Sequence, residues 1–414
     1  MGNQSPAVSA EADRHREAVV DLLRDVIHTP SLSGTEADVV ARLRAEMETL
    51  AFDEILDDPF GSAVGRIGSG PTTIVYDSHI DTVDVGSRKE WSRDPFEPAL
   101  EGGIDGGVVH GRGASDNKAG IASMLHGAAL ARDLGRLEGV SLYVVGSVQE
   151  ETCDGLALEH VLTTMIESPS VVVLGEATGC RLYRGHRGRV EVAVRASGAS
   201  CHASAPERGH NPVYDIAGVI GEIEELNGRL GRDDFLGPGT IALTKIECET
   251  PSLNAVPSTA TLYVDRRLTL GESPEIALDE LRALPAVQAI GAEVSLLGYE
   301  KTSYSGMTLS STKYFPTWVT EEGHVSVQAG VVAGTEALGR RPEIGHWVFS
   351  TNGCSSAGRL GIPTIGFGPG DEVHAHTAHD QCPTDDLVTS IAFLAAFPSA
   401  YSALTASRRG GGRP

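Results

Sequence analysis

TTIVYDSH at residues 72–79, VSLYVVGSVQ at 140–149 and VVVLGEA at 171–177 are near-continuous runs of β-branched and apolar residues. Such runs mark strands buried on both faces, not strands that alternate towards water. Between them, 35–49 and 119–134 carry apolar residues at helical spacing. Upstream, 12–27 places Val19, Leu22, Leu23, Val26 and Ile27 on one helical face before Thr29-Pro30 stops the pattern. Strands separated by helices predict an α/β domain: a mostly parallel sheet sandwiched by helices.

From Gly188 the rhythm changes. RVEVAVRASG and STATLYVDRRL alternate like half-exposed strands, with helical runs in NPVYDIAGVIGEIEELNGRL and PEIALDELRAL. The order strand, helix, strands, helix, strand predicts a smaller α+β, ferredoxin-like insert over 188–300 with one sheet face open. The α/β pattern then returns with a helix over 326–338, the short strand IPTIGFG and a helix over 384–404. The first domain therefore reads as split, 1–187 and 301–405, and 406–414 (ASRRGGGRP) reads as a disordered tail.

Composition narrows the function. The 414 residues include 56 Asp plus Glu against 33 Lys plus Arg, a net charge of −23, which repels nucleic acid and anionic lipid. The six cysteines form no C-x-x-C pair, and neither a zinc knuckle nor a compact disulfide framework is expected. The N-terminus lacks a basic segment followed by an apolar one, and no stretch reads as a run of about 18 apolar residues. A cytoplasmic protein without a membrane partner is the expectation.

The chemistry gathers where strands end. His79 and Asp81 follow the first run, Glu150 and Glu151 the second, and Glu176 the third. In open parallel sheets the ligand crevice lies outside the carboxyl ends of the strands, so these side chains can meet. Asp116 in HGRGASDNKAG and His376 in GPGDEVHAHTAHD are further candidates. Several carboxylates in one place repel unless cations fill the site. Carboxylates with imidazoles and no cysteine pattern point to zinc, with cobalt or manganese as alternatives.

The blocks HID (79–81), GRGASDNKAG (111–120), EE (150–151), GEAT (175–178), SGASCHASAPERGHNP (197–212), NAVPSTATLYVDRR (254–267) and GFGPG with AHTAHD carry a resemblance. In this order, from about residue 15 to 405, the chain resembles the metal-dependent amidohydrolases and peptidases that include acetylornithine deacetylase, succinyl-diaminopimelate desuccinylase, aminoacylase and glutamate carboxypeptidase. The resemblance implies a zinc-peptidase-like catalytic domain and a lid that serves for dimerisation, giving a homodimer. It implies two divalent metal ions, with Asp116 bridging, His79 and Glu176 completing one site, and Glu151 and His376 the other. Glu150 would be the general base, and Asp81 would hold the second ring nitrogen of His79.

By the same resemblance His202 would donate to the oxyanion, often across a dimer interface. Arg267 would grip a substrate carboxylate, and Asn254 would orient the substrate. The chain departs from the family in STNGCSSAG (350–358), where many members carry a G-T-D-type loop, and at Asp380, where Glu is common. His374, His379, His126 and Cys153 read as incidental. The implied activity is hydrolysis of the amide of a small N-acyl amino acid or related carboxylate-bearing compound. A di-, amino- or carboxypeptidase is the alternative, a non-catalytic binding protein a weaker one, and a two-metal phosphoesterase is disfavoured for want of a cationic cluster.

Overall fold

The computed structural model describes residues 8–410. The loose start expected before residue 8 and residues 411–414 of the expected tail lie outside the described residues. A large mixed sheet forms the centre, its middle made of the parallel strands Val140–Ser147, Thr72–His79, Val171–Leu174 and Thr364–Gly366, in that order. Ala63–Ile67 and Glu54–Asp57 extend one edge antiparallel, and Leu182–His186 and Trp318–Val319 extend the other.

The strands send alternate residues into two cores, as a pleat of period two requires. Ile74, Tyr76, Val144 and Val173 pack on one face with the helices Lys118–Asp133 and Thr384–Gly410, while Val75, Val145, Val172 and Leu174 pack on the other around Leu158 and Trp347. This explains why the strands read as continuous apolar runs: both faces are covered. Every residue from Lys118 to Ala131 is buried. Gly127 permits that closeness, since a β-carbon there would lie 2.6 Å from Leu394 Cβ.

Three expectations change in these helices. The helical pattern of 12–27 is broken into Val8–Asp13 and Arg16–His28. The last helix is longer than 384–404 and continues through Gly410, so the first residues of the expected tail are helical. By length and composition Thr384–Ser407 could also cross a membrane, contrary to the reading that no stretch approaches a span. Its apolar residues, among them Ile391, Phe393, Leu394 and Phe397, are instead buried in the core. Scattered Ser, Thr and Pro398 hide the run from a search for unbroken hydrophobicity.

The chain leaves the large sheet after His186 and enters the insert at Gly188. Gly188–Ser197, Thr240–Glu249, Thr259–Leu268 and Glu293–Leu296 form an antiparallel sheet in which the fourth, first, third and second strands lie side by side, the ferredoxin-like order. The helices Pro212–Asn227 and Pro274–Arg282 cover one face, burying Val190, Val192, Val194, Leu262 and Val264. Tyr263, Asp265 and Arg267 alternate with those buried residues along their strand.

The return differs from the boundary expected at residue 300. Gly298–Thr302 and Thr308–Thr312 form a hairpin, Tyr314–Phe315 still pairs with the insert, and only Trp318–Val319 rejoins the large sheet. The hairpin leans on the first domain through Tyr304 Oη to Gly61 O (2.6 Å) and Lys301 Nζ to Ser33 O (2.8 Å). Its strands, GYEKT and TLSST, have too few apolar residues to announce themselves as strands.

Candidate metal centre

His79 is the last residue of its strand, Glu176 follows the next by two positions, and Glu150 and Glu151 lie in the turn after Val140–Ser147. Parallel pairing of these strands sets their carboxyl ends side by side. Asp116 comes from the loop before the helix Lys118–Asp133. That loop is anchored by Lys118, whose Nζ donates to Val26 O (2.6 Å) and Thr29 O (2.8 Å) at the end of the helix Arg16–His28.

Two triads result, His79 with Asp116 and Glu176, and Asp116 with Glu151 and His376, each with ligand atoms within 4.8 Å of one another. Asp116 belongs to both and splits its oxygens between them. Oδ1 lies 2.9 Å from His79 Nε2, and Oδ2 lies 3.2 Å from His376 Nε2. His79 Nε2 is 3.6 Å from Glu176 Oε1, and His376 Nε2 is 3.0 Å from Glu151 Oε2.

This donor set fits a pair of divalent ions: one imidazole and carboxylates for each, a shared carboxylate, and no thiolate. The electrostatics agree. Burial alone would lower His79, yet the charges of Glu176 and Glu150 and bonds to Asp116 and Asp81 raise it well above the ordinary imidazole value. Bonds to Asp116 and Glu151 carry His376 up to about 10. Burial pushes Glu176 up to about 8. The shared Asp116 goes the other way: despite its burial it is held below the ordinary carboxylate range by the two imidazoles it touches. Carboxylates that lift both imidazoles make a site that favours positive charge.

Glu150 is 7% exposed and lines the same cleft. Burial first, and the charge of Asp154 second, raise its carboxyl well above the usual range. Asp81 is placed differently from the expectation. His79 Nδ1 bonds to the Asp81 main-chain oxygen at 3.0 Å, with the carboxylate at 3.5 Å. The carboxylate instead accepts the main-chain N–H groups of Glu150 (3.0 Å) and Glu151 (3.2 Å), and the Ser33 hydroxyl (2.6 Å). Asp81 thus fixes both the imidazole and the turn that carries Glu150 and Glu151. Asp380 does the same for the Asp116 loop, accepting from Gly113 N (2.7 Å) and Ser115 N (2.8 Å).

The insert's candidates behave otherwise. Arg267 lines the cleft, but its Nε and Nη2 already donate to Asp265 at 2.7 and 2.9 Å. Arg266 is buried and pairs with Glu272 and Glu280. His202 and Asn254 lie together, joined by Ala203 N to Asn254 O (2.8 Å) and by the bridge between His202 and Ala255. Neither lines the cleft. His202 Nδ1 engages Ser204 Oγ at 2.7 Å, and Asn254 engages Ser252.

Arg189 and Asp154 in the cleft wall were not singled out by the sequence; they pair at 2.6 Å. The signal was slight: an extra acid in EETCD and an arginine just past the crossing into the insert. Of the groups read as incidental, Cys153 is buried with its thiol pushed up to about 12, and His126 faces His15; neither belongs to a triad, nor do His374 and His379.

Two triads that share Asp116, with the buried Glu150 carboxylate beside them at the carboxyl ends of the central strands, fit a metal-dependent hydrolase acting on amide bonds. The chain belongs to the peptidase family M20/M25/M40, whose pattern matches residues 75–400. It is 43% identical over 393 residues to protein YgeY of Escherichia coli K12, covering 95% of this chain and 96% of that one. It is 27% identical over 363 residues to the succinyl-diaminopimelate desuccinylase of Dinoroseobacter shibae, covering 84% and 90%. The dipeptidase Dug1p of Saccharomyces cerevisiae shares the fold with a TM-score of 0.73 at 14% identity, over 97% of this chain and 99% of that one.

Proposed function

We propose that the enzyme cleaves the amide of a small N-acyl amino acid or a related amide that bears a carboxylate. The observation that carries this reading is the Glu150 carboxylate, buried beside two triads that share Asp116, in a cleft that also holds Arg189 and Arg267. His79, Asp116 and Glu176 would hold one divalent ion and Asp116, Glu151 and His376 the other. Zinc suits these donors first, cobalt or manganese next, and the pair when bound supplies a polarised carbonyl and an acidified water.

The chain's own residues do the rest. Glu150 takes the proton of the attacking water and returns it to the nitrogen of the leaving amine, a task suited to a carboxylate whose proton affinity is raised. Asp81 keeps that carboxylate in place through the N–H groups of the turn. The guanidinium groups of Arg189 and Arg267 face the carboxylate end of the substrate, each tempered by its own aspartate.

His202 completes the site from a second copy of the chain in this reading. In support, Thr240–Glu249 pairs on one side only among the described residues and is exposed along most of its length, leaving an edge for a homodimer. A cytoplasmic location is supported by six cysteines that are all free thiols. A peptidase is the second reading. Glu372 lines the cleft and offers a carboxylate to the free ammonium of a dipeptide.

Amine release from N-acetyl, N-succinyl and N-carbamoyl amino acids and from dipeptides, by metal-stripped protein with and without added zinc, cobalt or manganese, separates the readings. Release from the acyl compounds alone supports deacylation. Release from dipeptides alone replaces it with the peptidase.

A further inference from the structure

The turn that carries Glu150 and Glu151 has no helix or strand of its own to hold it. At its start Gln149 sits at φ 55°, a conformation that costs a non-glycine residue energy and persists only when its surroundings enforce it. Glu36 Oε1 accepts the Gln149 N–H at 3.1 Å, and Tyr299 Oη of the hairpin donates to Gln149 Oε1 at 3.0 Å. At its end Gly155 sits at φ 75°, against the loop 350–355. A β-carbon there would come within 2.8 Å of Cys354 Sγ, so only glycine allows the approach.

Asn352 occupies the centre of that contact and is 2% exposed. Its Oδ1 accepts the Gly155 N–H at 2.6 Å. Its Nδ2 donates to Asp77 Oδ2 and to Ser147 Oγ, both at 2.8 Å. Asp77 lies two residues before the ligand His79, and Ser147 ends the strand from which the turn departs. One buried amide therefore joins both strand ends to the far end of the turn. Ser350 and Cys354 add bonds from the same loop to Asp154, the Cys354 thiol at 3.2 Å from its main-chain oxygen.

We propose that Asn352 is the positioning residue of the base-bearing turn, fixing Glu150 and Glu151 against the strands that present His79. The loop STNG, where the chain departs from its family's common pattern, then has the task of holding the turn. This rests on the dinuclear reading above. Its consequence is selective: Glu151 belongs to one triad only, so a loosened turn harms the site of Asp116, Glu151 and His376 more than that of His79, Asp116 and Glu176.

Zinc titration of the metal-stripped full-length chain by calorimetry tests this. Wild type binds two equivalents; Asn352→Ala weakens one site by about tenfold or more and leaves the other within about threefold, the usual effect of removing a group that orients a ligand. Two wild-type affinities in Asn352→Ala, even with a lowered melting temperature, would overturn the proposal. Should that variant not fold, a near-isosteric exchange decides. Asn352→Asp loses the donor to Asp77 and weakens the same site, and adding Asp77→Asn reverses donor and acceptor and restores it. Failure of the second change to restore binding overturns the proposal. A wild-type chain that takes up no zinc overturns the dinuclear reading instead.

Discussion

The strand ends of the α/β domain and the turns of the insert carry equally conspicuous residues, but only the first set meets within one chain. His79, Glu151 and Glu176 stand on or just beyond neighbouring strands of one sheet, whose register sets those strand ends side by side, close to Asp116. His202 and Asn254 sit on insert turns, exposed and bonded to their own neighbours. A sheet with its flanking loops gathers a site within one domain, whereas the turns of the insert are satisfied by their own neighbours.

The largest effect is expected at Glu150. Glu150→Gln is expected to lower kcat by roughly 10²–10⁴-fold while both metal equivalents remain, since the residue belongs to neither triad. Loss of metal along with activity, by elemental analysis, would make it a ligand. His202→Ala comes next, at roughly 10²–10³-fold, the usual effect of losing one donor to an oxyanion. If the histidine acts across a dimer, mixing His202→Ala with Glu150→Gln after reversible dissociation restores about a quarter of wild-type activity by statistical pairing. No recovery in exchanged dimers would return His202 to a role within its own chain, or to none.

A third prediction concerns the domain's interior. Burial holds His126 down to about 3, with Nδ1 3.0 Å from that of His15. Its folded value lies below its unfolded one, so the unfolded chain binds the extra proton first. Stability present above about pH 6.5 is then lost as pH falls towards 3, by an amount on the order of a few kcal/mol. Urea unfolding at pH 7.5 and 5.0 should show a smaller difference for His126→Leu than for wild type, and an equal difference would assign the acid sensitivity elsewhere. The smallest effect is at Arg267. With its fork already engaged by Asp265, Arg267→Gln should raise KM by about tenfold and leave kcat nearly unchanged. A collapse of kcat would make it part of the chemistry.

How much of this was legible follows the same division. The strands Thr72–His79, Val140–Ser147 and Val171–Leu174, and the residues at their ends, could be read because apolar runs and turn residues are local signals. The βαββαβ order of the insert was visible in its alternation. What stayed hidden depends on contacts distant in sequence. The hairpin Gly298–Thr302 with Thr308–Thr312 is polar, and its purpose lies in bonds to Ser33, Gly61 and Gln149. Asp81 looked like the partner of His79, yet its main chain takes that role and its carboxylate holds a turn some seventy positions on. The pairing of Arg189 with Asp154 and the junction at Asn352 each join segments that no periodicity connects.

The most direct test of the dinuclear hydrolase is metal content and amine release measured on the same preparations, titrating zinc into stripped protein with the acyl amino acid panel present. Release is expected to rise as the second equivalent of zinc binds and to be absent from Glu150→Gln at full occupancy. Release that is complete without metal, or that survives in Glu150→Gln, would contradict the dinuclear hydrolase.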